Sequence, residues 1–275
     1  MNNSASRRSI LSRLLPARPQ LIVYHVIILV AVFAAWKSIT HFELMSEFFV
    51  GDPVKVFDQI YKWFATGMIF KHLWVTLFET ACAFVAGSTL GLMAGLWLAL
   101  SPMASTLASP YLKGFNAMPR VILAPIFSVW FGLGVTSKIA LGITLVFFVV
   151  FFNVYQGVKE VSPVTLANAK MLGANKRQLL WTVYIPSATS WVFSSLHTAV
   201  GMAFVGAVIG EYMGSAAGVG YLILQAEGLF NINGVFAGVI LLTFFAIALD
   251  ALVSVVERRL LHWQPREAET VGIVA

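Results

Sequence analysis

The chain reads as an all-α polytopic membrane protein with six transmembrane helices, and three features of its 275 residues say so. Charge is scarce: 59% of the residues are apolar and 11% are charged, against about 25% charged in an average soluble domain. The mean hydropathy is +0.84, which excludes a soluble enzyme and a disordered chain. Apolar stretches are long: no Asp, Glu, Lys or Arg interrupts residues 80–112 or 178–210, and shorter charge-free runs cover 21–36, 121–137, 139–158 and 228–249. A helix needs roughly 20 apolar residues to cross the hydrocarbon layer, only helices and closed barrels satisfy their backbone there, and continuous apolarity excludes the alternation of a barrel. Finally, the cations are sided. Arg7, Arg8, Arg13, Arg18, Lys159, Lys170, Lys176, Arg177, Arg258, Arg259 and Arg266 fall on one side of the six spans, while Lys55, Lys62, Lys71 and Lys138, with Lys37 at the edge, fall on the other. The positive-inside rule then places both termini in the cytoplasm. The formal charge of +6 is therefore topological and calls for no nucleic-acid partner.

Residues 1–20 form an Arg- and Ser-rich cytoplasmic tail. It resembles a secretory signal, but five further spans follow, and cleavage would break the even count that keeps both termini inside. The first span runs over 21–41. An external segment follows, giving a unit of residues 21–72, with a turn at Gly51, Asp52 and Pro53 and aromatics at Phe57, Tyr61, Trp63 and Phe64 that predict an interfacial helix. The core occupies 73–260, with spans at 73–100, 106–131, 138–157, 187–213 and 234–260. Ser101 with Pro102 and Ser109 with Pro110 divide the first long run into two helices. Residues 261–275 form a second cytoplasmic tail. The lone Cys82 falls inside a span, with no partner for a disulfide.

The cytoplasmic loop 159–186 carries structure of its own. Ser162 and Pro163 start a helix, Gly173 fits a left-handed stop near Leu172, and Asn175 caps a second helix from Lys176 to Tyr184 that ends where Pro186 resets the chain. Four cations and a row of apolar side chains on this helix, glycine turn, helix unit suit either an amphipathic connector on the anionic leaflet or a docking element for a cytoplasmic partner.

Within that loop Ala167-Asn168-Ala169, Gly173 and Ile185-Pro186 resemble the EAA loop of ABC importer permeases. The third Ala, the Gly and the Pro stand at the expected offsets, whereas the acid and the second Ala of the pattern are replaced by Ala167 and Asn168. Ala124-Pro125, residues 129–134, Thr136-Ser137-Lys138, Gly210-Glu211, residues 218–221, and Glu257-Arg258-Arg259-Leu260 with Trp263 are similar to the nitrate, sulfonate and taurine branch, so that the likeness covers about residues 70–265. Arg120 stands where that branch carries proline or a neutral residue. The resemblance implies the type I ABC importer (MetI-like) permease fold in the bacterial inner membrane. It also implies a homodimer with a second permease subunit, two copies of an ABC ATPase docked on the cytoplasmic loop, and a periplasmic solute-binding protein. No Gly-x-x-x-x-Gly-Lys-Ser/Thr loop occurs in the chain, so this subunit is a non-enzyme with no catalytic residues and no cofactor of its own, and ATP and magnesium are used by the partner. The substrate implied is a small organic anion such as taurine or another sulfonate, with nitrate, an aromatic acid or a vitamin precursor as alternatives.

The resemblance places ATPase coupling on Ala167, Asn168, Ala169, Lys170, Gly173, Ala174, Lys176, Arg177 and Pro186. The residues weighed for the translocation pathway or gate are Arg120, Gly206, Gly210, Glu211, Gly214, Gly218 and Gly220. Glycines at four-residue spacing let helices approach closely. Gly87, Gly91 and Gly95 are read as packing, and the row from Gly206 to Gly218 as a subunit interface leading into a re-entrant gate. A charge inside the membrane costs roughly 2.5–3.5 kcal/mol on insertion scales, so Glu211 either holds a structural hydrogen bond near the outer gate or acts on passage, and Arg120 either attracts an anion or pairs with a carbonyl. Glu79 is read as interfacial and His197 as a packing residue; no metal cluster is expected. A stand-alone secondary transporter would need inverted repeats, and none is evident.

Overall fold

The computed structural model describes residues 18–260, all of whose regular structure is helical. The two tails assigned from the sequence lie outside the described residues, apart from 18–20. Helix α1 is Arg18–His41, and the segment between the first two spans contains α2 (Glu47–Val50) and α3 (Pro53–Ala65). The core comprises α4 (Met68–Leu100), α5 (Pro102–Ala117), a 3₁₀ turn (Arg120–Ile122), α6 (Leu123–Phe131) and α7 (Val135–Lys159). The loop holds α8 (Pro163–Met171), α9 (Lys176–Leu179) and a π turn (Leu180–Tyr184), and the chain continues into α10 (Ile185–Tyr212), α11 (Val219–Gly228) and α12 (Ile232–Leu260). Five helices are long and apolar enough to span a membrane.

The third of the six assigned spans departs from expectation. The stretch 106–131 is not one helix: α5 and the segment Arg120–Phe131 meet at 76°. Met118 is extended (φ −69°, ψ 126°) because the ring of Pro119 disfavours the helical region for the residue before it. The division of the long run also falls at one place rather than two. Ser101 breaks the chain and Pro102 takes the first helical position, where a missing N–H is tolerated, whereas Pro110 stays inside α5.

Helix α7 lies between α4 and α10, and glycine lets it do so. A Cβ at Gly87 would fall 2.7 Å from Val146 Cβ, one at Gly91 2.7 Å from Phe147 O, and one at Gly95 2.9 Å from Phe151 O. On the other side, a Cβ at Gly206 would fall 2.6 Å from Gly142 Cα. Between them Val146, Val150 and Val154 pack with Ala83, Ala199 and Ala203. The row beginning at Gly206 was expected to face a second subunit; its open sides are filled by this same chain, Gly210 by Lys138 and Gly214 by Leu133.

Helix α3 is the helix anticipated between the first two spans, started by Asp52, whose side chain accepts from Val54 N, and by Pro53. It is seated on protein: Val56 and Trp63 pack with Ile69, Leu73, Val219, Leu222, Ala237 and Leu241. The entry to α3 is tied to α1 by a Lys37–Asp52 ion pair at 2.6 Å, and the hydrogen bond from Lys37 holds the Asp52 carboxyl below the ordinary aspartate range.

Replacing Gly206 by Leu should destabilise the detergent-solubilised protein by about 1–3 kcal/mol through overpacking against α7. Gly114→Leu, at a site where a Cβ meets nothing within 4 Å, should change little in the same unfolding measurement.

Candidate gate and coupling loop

The loop between α7 and α10 is built by local capping. At the end of α8 Gly173 adopts φ +83°, Ala174 N donates to Ala169 O at 3.1 Å, and Gly173 N donates to Lys170 O at 2.9 Å, a Schellman closure. Nothing lies within 4 Å of a Cβ built on Gly173, so the glycine answers to backbone conformation and not to crowding. Asn175 and Gln178 form a reciprocal capping box at the start of α9. The Ser162 side chain makes no capping hydrogen bond; Pro163 alone marks that start.

Ala169 and Ala174 turn inward with Leu166 onto Val161, Leu179 and Val183. Ala167, Asn168, Lys170, Lys176 and Arg177 are exposed, and Met171 and Leu172 stand 86% and 89% exposed at the tip. Pro186 does not end the helix. Ile185 N donates to Leu180 O, five residues back, and this π turn absorbs the proline, whose ring would otherwise meet the Thr182 carbonyl.

At the opposite end of α7 and α10, residues 213–220 are pinned from beneath by three helices. Lys138 Nζ donates to Leu133 O and Gly214 O, both at 2.6 Å. His72 Nδ1 lies 3.1 Å from both N and O of Gly218, and Val219 N donates to Thr76 Oγ1 at 3.0 Å. Glu211 accepts from Thr76 Oγ1 and from Gly220 N, each at 2.7 Å. Gly218 (φ +112°) lies so close to the Glu211 carboxylate that any Cβ would collide with it. Gly210, Glu211, Gly214, Gly218 and Gly220 thus converge on one buried site, which Gly206 adjoins along α10.

Sequence reasoning missed His72, Thr76, Glu79 and Lys138 at this site. Glu79, expected at the interface, is fully buried, because α4 begins at Met68 and carries it three turns inward to face α7 and α10. Its position at the edge of a charge-free run was the available signal.

Arg120 is held apart from these groups. Its guanidinium lies 4.5 Å from the centroid of the Phe148 ring, Nη2 donates to Phe115 O at 3.2 Å, and among the described residues no carboxylate pairs with it. The bend between α5 and α6 places it near the middle of α7. Toward the coupling-loop end, a cavity of about 410 Å³ is lined by Ser109, Asn116, Asn153, Tyr155, Gln156 and Trp191. His197 Nε2 pairs with Asp250 Oδ1 at 2.9 Å and ties α10 to α12, and no metal-binding cluster occurs among the described residues.

The family of binding-protein-dependent transport system inner membrane components matches residues 87–262. The chain belongs to this family. It is the permease subunit of an ABC importer, a multi-pass inner-membrane protein rather than an enzyme, and the ATPase is a separate subunit. This sets aside the stand-alone secondary transporter. The SsuC permease protein of Bacillus subtilis (strain 168), named for aliphatic sulfonates, is 30% identical over 233 residues, covering 85% of this chain and 84% of that one. The taurine transport system permease protein TauC of Escherichia coli (strain K12) is 26% identical over 240 residues, covering 86% and 87%. Further relatives are named for formylaminopyrimidine and riboflavin transport. The inward-facing MetNI methionine ABC transporter superposes with a TM-score of 0.60 at 18% identity over 70% of this chain and 95% of that one, which establishes the type I importer fold for this permease. Membership of this family implies ATPase and binding-protein partners.

Lys138→Met should lower the stability of the permease by about 1–3 kcal/mol, because it leaves the carbonyls of Leu133 and Gly214 without their donor. Unfolding in detergent, with Lys55→Met at an exposed position as the neutral control, measures the difference.

Proposed function

We propose that this permease conducts a small organic anion, taurine or another sulfonate, delivered by a periplasmic binding protein and driven by two ATPase subunits beneath a homodimer. The observation that carries the anionic reading is Arg120, a cation midway along the core that is solvated by a ring face and one carbonyl, with no acidic partner among the described residues. A passing sulfonate or carboxylate supplies the missing counter-charge through charge-assisted hydrogen bonds. The names of SsuC and TauC support the same class. The formylaminopyrimidine and riboflavin relatives favour a vitamin precursor as the second reading.

In this reading the cytoplasmic side holds both termini and the loop 159–186. Ala167, Asn168, Lys170, Lys176 and Arg177 form the exposed face toward the ATPase. Ala169, Ala174 and Gly173 hold the two loop helices at a fixed angle, and Pro186 with its π turn passes displacement into α10. The chain itself binds no cofactor; ATP and magnesium belong to the partner. Gly206, Gly210, Glu211, Gly214, Gly218 and Gly220 form the outer gate, whose closure alternates with that of the loop end.

Gly173→Val forces a β-branched residue to φ +83° and should abolish substrate-stimulated ATPase activity in the reconstituted complex while membrane insertion remains normal; wild-type stimulation would refute the coupling role. Calorimetric titration of the cognate binding protein should give tight binding of taurine or an alkanesulfonate. Binding of a formylaminopyrimidine instead would establish the second reading.

A further inference from the structure

Between Arg120 and the coupling loop the core opens into the cavity of about 410 Å³, which neither the gate nor the loop uses. Its volume falls in the range of small-molecule sites, about 300–1,000 Å³. Three helices wall it: α5 gives Ser109 and Asn116, α7 gives Phe152 and Asn153, and α10 gives Trp191. The walls are held in place. Ser105 Oγ lies 2.5 Å from Tyr155 Oη and ties α5 to α7. Gly157 admits Trp191, whose ring atoms a Cβ there would meet at 2.8 Å.

The lining carries an unspent set of neutral donors. The side chains of Ser109 and Asn116 make no hydrogen bond among the described residues, and neither does the Trp191 indole N–H. Asn153 gives one amide hydrogen to Val149 O at 2.8 Å and keeps the other. Unpartnered amides are not tolerated against hydrocarbon, so this face opens on water or on cargo. None of the described residues that line it is charged. The cavity also adjoins Arg120. Phe148, on whose ring Arg120 rests, stacks on Phe152 at 6.1 Å, and Phe152 forms part of the cavity wall. The carbonyl that accepts from Arg120 belongs to Phe115, the residue before Asn116. An anion that leaves the guanidinium along this face of α7 meets amides next.

We propose that this cavity is a second, uncharged binding site for an organic sulfonate, which takes the headgroup from Arg120 by hydrogen bonds from Ser109, Asn116 and Asn153 and covers the carbon chain with Phe152 and Trp191. The inference rests on the sulfonate reading of the pathway. Neutral hydrogen bonds are about half as strong as charge-assisted ones, and conduction requires sites that a ligand can leave. Passing from one cation to a row of neutral donors loosens the hold on the anion as it nears the coupling-loop end.

Saturation-transfer NMR of taurine and ethanesulfonate on the permease–ATPase complex in lipid nanodiscs, without the binding protein, tests this. The wild type and Arg120→Gln should both transfer saturation to the sulfonates, the variant through the cavity alone, and neither should do so to tetramethylammonium. In the Arg120→Gln background, Ser109→Ala with Asn116→Leu should weaken the remaining binding about tenfold, the worth of one or two neutral hydrogen bonds. Both side chains lack internal partners, so this variant should still assemble with the ATPase, and Asn116→Gln, which keeps an amide, should retain binding. Loss of all sulfonate binding in Arg120→Gln overturns the cavity site and leaves the sulfonate reading standing. So does binding in that background that the Ser109 and Asn116 changes leave untouched. Absence of sulfonate binding to the wild-type complex overturns the cavity site as well, and titration of the binding protein then decides the sulfonate reading separately.

Discussion

The arrangement rests on how closely α7 approaches its two neighbours. Lipid-facing helices gain little from hydrophobic burial and associate through van der Waals contact and polar bonds, so separation matters more than area. Gly87, Gly91 and Gly95 bring α4 against α7, and Gly142 and Gly206 bring α7 against α10. At that spacing Lys138, in the first turn of α7, reaches backbone carbonyls on both sides and sits among carboxylates from α4 and α10. The polar cluster is a consequence of the glycine rows: wider helices would leave each charge to find its own water.

The same three helices connect the two candidate functional ends. Helix α7 carries Lys138 near its start and runs into the coupling loop at Lys159, and α10 leaves that loop at Ile185 and carries Glu211 in its last turn. Each is a single element of 25 or 28 residues, about 40 Å long at 1.5 Å per residue. Displacement at the loop therefore reaches the buried cluster through rigid backbone.

Spans, loop caps and the family resemblance were legible in the sequence because each is written in local order: runs of apolar residues, Pro at a helix start, Gly at a helix stop. Gly173 and Asn175 fall in the conformations that spacing predicts. What was not legible depends on faces. Whether Glu79 meets lipid headgroups or Lys138 depends on where α4 begins and which way it is turned, and neither is encoded in a hydropathy count. The row from Gly206 illustrates the same limit: small residues announce close approach without naming the helix that approaches, and the partner is α7 of the same chain. The bend at Met118 falls inside the span assigned to 106–131, although Pro119 carried the signal.

The π turn at Leu180–Tyr184 has a further effect on how one helix serves two interiors. Adding one residue to a turn advances the phase of everything beyond it by roughly 100°. Before and within the turn, Leu179 and Val183 face the small cluster under the coupling loop. Beyond it Ala188 faces Ala99 and Val158 between the spans. Tyr184, inside the turn, packs against both clusters, so the extra residue lies where one interior passes into the other on continuous backbone.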